Sequence, residues 1–199
     1  MPRGSYAVNG RPEAFSCAPG PAGWRYVSDV LDLAVDARFA AVRFEVRAGD
    51  RWARGVRASL DDGQRLLAWA CSADPCDERL SEASSVETDS PGSLVALVRA
   101  AAAPGTDPVR RLLPVVRFDV PALAGLEARR VLTRVGTEWH EAPDGHLLVE
   151  QWYVDDVDAG TRVVVSAAGD VVLAAEGPDL EVELTSLDSR PTGATSSPG

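Results

Sequence analysis

LDLAVD (31–36) and VRFEVR (42–47) decide the fold. In the first, Leu31, Leu33 and Val35 alternate with Asp32, Ala34 and Asp36; in the second, Val42, Phe44 and Val46 alternate with Arg43, Glu45 and Arg47. A period of two puts each set on its own face of a strand. Charge on the off-beat means that one face meets water, which favours antiparallel pairing. With Asp36–Arg38 as the turn, the two segments read as a hairpin.

The pattern spreads in both directions. Ala48-Gly49-Asp50 turns the chain into a third strand over 51–59, with Trp52, Arg54, Val56 and Ala58 on one face. Asp61-Asp62-Gly63 leads into a fourth over 64–71. Residues 72–91 are polar and proline-punctuated and read as a loop with a short helical turn. GSLVALVRAAAA (92–103) reads as a helix, capped by Ser93, stopped by Pro104-Gly105, with Leu94, Leu97 and Val98 on one face. Strands return at 112–120, 126–135, 146–156, 161–167, 171–176 and 180–187. Pro114 makes the first of these an edge, a bulge or a strand start. The expectation is about nine or ten strands and one helix. Residues 1–22, rich in Gly and Pro, read as a loose arm with room for a short strand near Tyr6–Val8; 23–188 as one antiparallel domain; and 189–199, without a core former, as a disordered tail.

Composition narrows the function. A 199-residue chain can bury a full core without staples. Its formal charge of −10 argues against nucleic acid, which needs a basic face. There is no Lys, which removes Schiff-base chemistry and a phosphate-loop lysine. No apolar run is long enough to cross a membrane as a helix or to act as a signal peptide. An odd set of cysteines, Cys17, Cys71 and Cys76, then suggests a reducing, cytoplasmic setting.

No motif announces catalysis. His140 and His146 flank a turn, where Glu138, Glu141 or Asp144 could complete a metal site, but polar residues are expected in such a place anyway, and no metal or other cofactor is expected. Asp155, Asp156 and Asp158 precede Gly160 without the distal Glu of a calcium loop and read as a turn. A Gly-x-Ser-x-Gly elbow and a Gly-rich phosphate loop are both missing from the sequence. What stands out is aromatic: five Trp in a small protein, several on strands with Arg neighbours. They read either as core and sheet-face packing or as an apolar groove with Arg at its rim, suited to an amphiphile with an anionic head.

LLPVVRF (112–118), EQWYV (150–154) and the hairpin and closing strand after them resemble a bacterial family named for glycolipid binding. Leu113-Pro114, Arg117, Gln151 and Tyr153 take the places of that family's short motifs, and RFAAVRFEVRAGDRW (38–52) is similar to its Arg-rich strand pair. The likeness spans about residues 24–187, and the insertion at 72–91 and an extra Val between Pro114 and Arg117 depart from it. It implies a mainly β (α+β) fold: a curled antiparallel sheet, a half-barrel like that of lipoprotein carriers, with the helix on its concave face. The expected function is non-enzymatic binding of a lipid-like or amphiphilic molecule between sheet and helix. Trp52, Trp69, Trp152 and Tyr153 are the expected lining, with Arg117 nearby. A protein-interaction role, with a homodimer among its partners, and an enzyme with a dispersed site are the alternatives.

Overall fold

The computed structural model describes residues 2–20, 23–60, 65–72, 74–102, 109–120, 122–142 and 145–188. In chain order the elements are β1 (Arg3–Val8), β2 (Arg11–Gly20), β3 (Gly23–Ser28), β4 (Leu31–Asp36), β5 (Ala41–Ala48), β6 (Arg51–Ser59), β7 (Arg65–Cys71), β8 (Asp74–Ser81), β9 (Ser85–Glu87), α1 (Pro91–Ala101), β10 (Arg110–Phe118), β11 (Gly125–Ala142), β12 (Gly145–Asp156), β13 (Arg162–Ala168), β14 (Val171–Gly177) and β15 (Leu180–Asp188). One sheet takes all fifteen strands in the order β8-β7-β6-β5-β4-β3-β2-β1-β15-β14-β13-β12-β11-β10-β9. Every neighbouring pair is antiparallel except β9 with β10. The 31–36 and 42–47 hairpin is there as β4 and β5, pairing Leu33 with Phe44.

The sheet has fifteen strands where nine or ten were expected, and two segments account for most of the excess. Residues 3–20, expected to be a loose arm, form β1 and β2 in the middle of the sheet. Tyr6, Val8, Phe15 and Cys17 are buried there at alternate positions. Asn9-Gly10, both at positive φ (49° and 75°), make the tight turn between them. The second segment is 72–91, expected to be a loop, which supplies β8 and β9 at the two ends of the sheet. An end strand pairs on one side only, so a short or polar sequence suffices. The expected tail over 189–199 lies outside the described residues.

The helix starts one residue earlier than expected, with Pro91 in its first turn and Ser90 at its N-cap. Ser93 does not cap it; its hydroxyl accepts from the Thr88 amide and faces the Ser90 carbonyl oxygen at 2.8 Å. Pro91 to Val98 and Ala101 are all buried. A helix buried all round must be wrapped, and α1 touches β4, β9, β10, β11, β13 and β14, from both halves of the sheet. The sheet closes on itself where the Ala41 amide donates to the Ser84 carbonyl (2.8 Å) and the Ser84 amide to the Pro114 carbonyl (3.0 Å). Arg57, pointing inward from β6, staples this seam by donating to the carbonyls of Ala41 (2.7 Å) and Ser84 (3.1 Å).

Beyond the seam the sheet overlaps itself. Phe118 shares a strand face with its partner Gly125, opposite the face of Arg117 and Leu126. That face meets Phe44 (5.3 Å between centroids) and the edge of Trp69 (5.2 Å, 89°). A Cβ at Gly125 would lie 2.3 Å from the Trp69 ring, so β7 lies tight against β11 there. The connected apolar core has two parts, one around α1 and one between β5–β7 and β10–β11. An aromatic ladder runs along the first: Tyr6, Phe15, Tyr26, Trp24 and Phe39 follow one another at 4.6, 5.6, 5.9 and 6.0 Å.

The helix is fitted to that ladder. A Cβ at Gly92 would lie 2.3 Å from a Tyr26 ring carbon. Ala is the better helix former by about 1 kcal/mol, but overpacking a filled core costs about 1–3 kcal/mol. Gly92→Ala is therefore expected to lower stability in urea unfolding. Unchanged or raised stability would mean that Tyr26 can move aside.

Candidate functional site

The five residues singled out from the sequence do not share one space. Trp152 is fully buried on the helix-facing side of β12, and Trp69 is buried in the other part of the core against Phe118. Trp52 and Tyr153 alternate with inward residues and lie outside, beneath the guanidinium groups of Arg54 (4.1 Å) and Arg162 (4.2 Å). Arg117 belongs to an ion-pair network with Asp119 (2.6 Å) and Asp156 (3.8 Å).

The centre of that network is Arg130, 2% exposed, which pairs through Nε with Glu87 (2.6 Å) and through Nη1 with Asp156 (2.8 Å). Burial raises the Glu87 pKa, and Arg130 offsets this only in part. Burial acts on Asp156 the same way, but the amides of Ala159 and Asp158 and the charge of Arg130 outweigh it and hold the carboxyl below its usual range. The space beside these groups is about 70 Å³, and their charges pair with one another, although Glu87 Oε2 and Asp119 Oδ1 make no hydrogen bond of good geometry. The network reads as the structural plug of one end of the fold.

A second buried acid, Glu13, lies beside the start of α1. It accepts from the Tyr26 hydroxyl (3.0 Å) and the Ser90 hydroxyl (2.5 Å), and among the described residues no cation pairs with it. Desolvation raises its pKa, against the lowering effect of hydrogen bonds from Ser90, Ser28 and Tyr26. The folded state thus holds this proton more tightly than the unfolded chain does. The associated stability is present below the unfolded carboxyl value and is lost as pH rises through the folded one. Gln resembles the protonated acid in shape and charge. Glu13→Gln is expected to melt near the wild type at pH 4 and several degrees above it at pH 8. An identical difference at the two pH values would contradict this.

One open space, of about 500 Å³, borders Phe44, Gly55 and Trp69; another lies at the other end of the helix. A cleft of about 670 Å³ is walled by the last turn of α1 (Arg99, Ala100, Ala102), the β4–β5 turn (Ala37 to Ala40), Ser84 at the seam, and Arg111 and Leu113 of β10. Its volume is in the range of small-molecule pockets. Alternation on β4 and β5 ends at this turn, which Asp36 locks: its Oδ1 accepts from the amides of Arg38 (2.8 Å) and Ala40 (3.0 Å). The lock holds Phe39 at φ 61°, a left-handed conformation that costs a bulky residue about 1–3 kcal/mol. Phe39 is thereby presented at the end of the aromatic ladder, with the Arg99 guanidinium 5.4 Å over its ring.

The electrostatics of the cleft oppose those of the chain. The protein carries −10, yet among the described residues the cleft lining holds three arginines and no carboxylate. Arg99 lies 4.0 Å from Asp170, while Arg38 and Arg111 have no ion-pair partner among the described residues. The C-terminus of α1 brings about half a negative charge, which three guanidinium groups outweigh. Arg38, Phe39, Arg99 and Arg111 were not picked out as a group from the sequence. The one local signal was an Arg in the last turn of an otherwise apolar helix; nothing local pairs it with β10.

The remaining candidates for chemistry stay apart. His140 and His146 are exposed on β11 and β12. Among the described residues no group of three or more His, Cys, Asp or Glu could hold a metal ion. Cys17 and Cys71 are buried free thiols, and burial pushes Cys17 up to about 11. The Cys76 side chain lies outside those described. No helix among the described residues is long and apolar enough to cross a membrane.

Fold and cleft together define a rolled, mainly antiparallel sheet around one buried helix, with a basic-rimmed opening at the helix C-terminus. No family model matches the chain and no curated protein matches it, so the resemblance to the glycolipid-binding family stands on its short motifs. Among solved structures, the crystal structure of a DUF1089 family protein from Pseudomonas aeruginosa is similar, with a TM-score of 0.49 and 14% sequence identity over 88% of this chain and 89% of that one.

Proposed function

We propose that this protein binds, without chemistry, an amphiphilic molecule whose anionic head sits among Arg38, Arg99 and Arg111 and whose apolar part lies over Phe39, Ala102 and Leu113. The observation that carries the reading is the cleft itself: an apolar-floored opening of about 670 Å³ between sheet and helix, rimmed by three guanidinium groups in an acidic protein. Guanidinium groups match carboxylate and phosphate geometry and bind them through charge-assisted hydrogen bonds. The described helix residues before Arg99 are buried, and the cleft gives the sheet–helix boundary room for a ligand at its C-terminal end.

The test is a head-group series on one chain length: dodecyl phosphate, dodecanoate, dodecanol and dodecyl trimethylammonium, each below its micelle concentration, read by native mass spectrometry and titration calorimetry. Retention should follow phosphate and carboxylate first, alcohol next and the cation last. Retention of none of them would end the proposal.

A further inference from the structure

β11 and β12 outrun their neighbours. β10 pairs with β11 only as far as Thr133, and β13 pairs with β12 only from Glu150. Among the described residues, 136–142 and 145–149 therefore pair with each other alone, as a two-stranded ribbon standing off the sheet. The end it leaves from follows from the register: along β11, Arg130 lies opposite Leu113 and Leu132 opposite Arg111, both cleft residues, and the ribbon continues past them. The ribbon thus projects from the rim of the basic cleft, away from the Arg130 network.

Its inner face carries one apolar pair, with Glu141 and His146 beyond it on the same face toward the turn. Leu148 shares the alternation of the buried Trp152, and Trp139 lies directly opposite Leu148. Trp139 is 70% exposed, whereas Trp24, Trp69 and Trp152 are buried and Trp52 is half-buried. Leu147 is also exposed, on the opposite face. A large indole held in water on a narrow ribbon has no packing role in the fold.

We propose that this ribbon is a lipid-surface probe: Trp139 and Leu148 enter the interface of a neutral bilayer and place the cleft mouth where an amphiphile can cross. The proposal rests on the cleft reading for what is carried, but contact with the bilayer stands or falls by itself. Trp favours the membrane–water interface, where its ring is half solvated. Glu138 and Glu141 beside it exclude a strongly anionic surface and favour neutral head groups. A second copy of the chain is the weaker fit. A stable dimer buries about 800 Å² per partner, and one indole with two leucines supplies well under that, an aromatic side chain giving about 150–250 Å².

The experiment mixes the full chain with phosphatidylcholine vesicles and reads tryptophan emission and co-sedimentation, for the wild type, Trp139→Ala and Leu148→Ala. The wild type should shift to the blue and sediment with vesicles. Trp139→Ala should partition roughly tenfold less, on the scale of losing one large apolar side chain, and should bind dodecyl phosphate from solution as the wild type does. Vesicles without effect on wild-type emission, or equal partitioning of Trp139→Ala, would overturn the proposal. So would a wild-type dimer in sedimentation equilibrium that Trp139→Ala abolishes. Vesicle binding that Trp139→Ala removes in a protein that binds no dodecyl phosphate would uphold the ribbon and reject the cleft.

Discussion

Replacing Arg38 and Arg111 together by Gln is expected to weaken dodecyl phosphate binding roughly a hundredfold, since each hydrogen bond to a charged group is worth about 1.5–3 kcal/mol. The same pair of changes should alter dodecanol binding by less than about threefold, because the apolar floor of Phe39 and Leu113 stays in place. Arg38 is exposed and Arg111 half-buried, and neither has an ion-pair partner among the described residues, so the fold should not suffer. The control is thermal melting within a degree or two of the wild type. An equal loss for phosphate and alcohol would mean that the arginines shape the cleft without reading a charge. Added salt should weaken the wild-type interaction and leave that of the variant nearly unchanged.

The largest effect on stability is expected at Arg130. Its guanidinium neutralises Glu87 and Asp156 while almost completely buried. Removing one partner of such a pair leaves unpaired charge in low dielectric and costs about 3–5 kcal/mol. Arg130→Met keeps much of the apolar stem and isolates the loss of charge. The sign with pH follows from Glu87, whose pKa burial raises. As pH falls, this carboxyl takes up its proton early and no longer needs a cation. The difference between variant and wild type in urea unfolding should therefore be greatest at pH 8 and should narrow toward pH 5. A loss under about 1 kcal/mol, or one independent of pH, would show that water reaches the network.

The strands were legible wherever one face met water. In 31–36 and 42–47 the off-beat charges mark the outer face, and those segments pair as read, except that a bulge at Ala34/Val35 puts Ala41 inside and leaves Val42 exposed. The same signal failed at 3–20. There the inward residues Tyr6, Val8, Phe15 and Cys17 alternate with Gly, Ser, Pro and Ala, so the contrast in hydropathy is weak. The Asn9-Gly10 turn was the better signal, because its positive φ values reflect local backbone chemistry. β8 and β9 were obscured for the opposite reason: they end the sheet, and an end strand needs little apolar sequence of its own.

The cleft was harder to read because none of its parts are neighbours in the chain. Arg38 and Phe39 come from a turn, Arg99 from a helix and Arg111 from a strand, and a seam at Ser84 brings them together. Composition suggested aromatics with arginines, and those pairs do form at Trp52 with Arg54 and Tyr153 with Arg162, on the outer surface. Which side of the sheet a pair occupies depends on register, and register is set by partners far away in sequence. Phe39 at the cleft is the exception worth noting, since an aromatic residue directly after an Asp-led turn is an unusual place for a core side chain.

The measurement that bears most directly on the binding proposal is a crystal structure of the chain grown with dodecyl phosphate. The phosphate should lie within hydrogen-bond reach of Arg38, Arg99 and Arg111, with the alkyl chain over Phe39 and toward Leu113. A ligand seated elsewhere, such as beside Trp69 or the Arg130 network, or a cleft left empty at saturating concentration, would contradict the account.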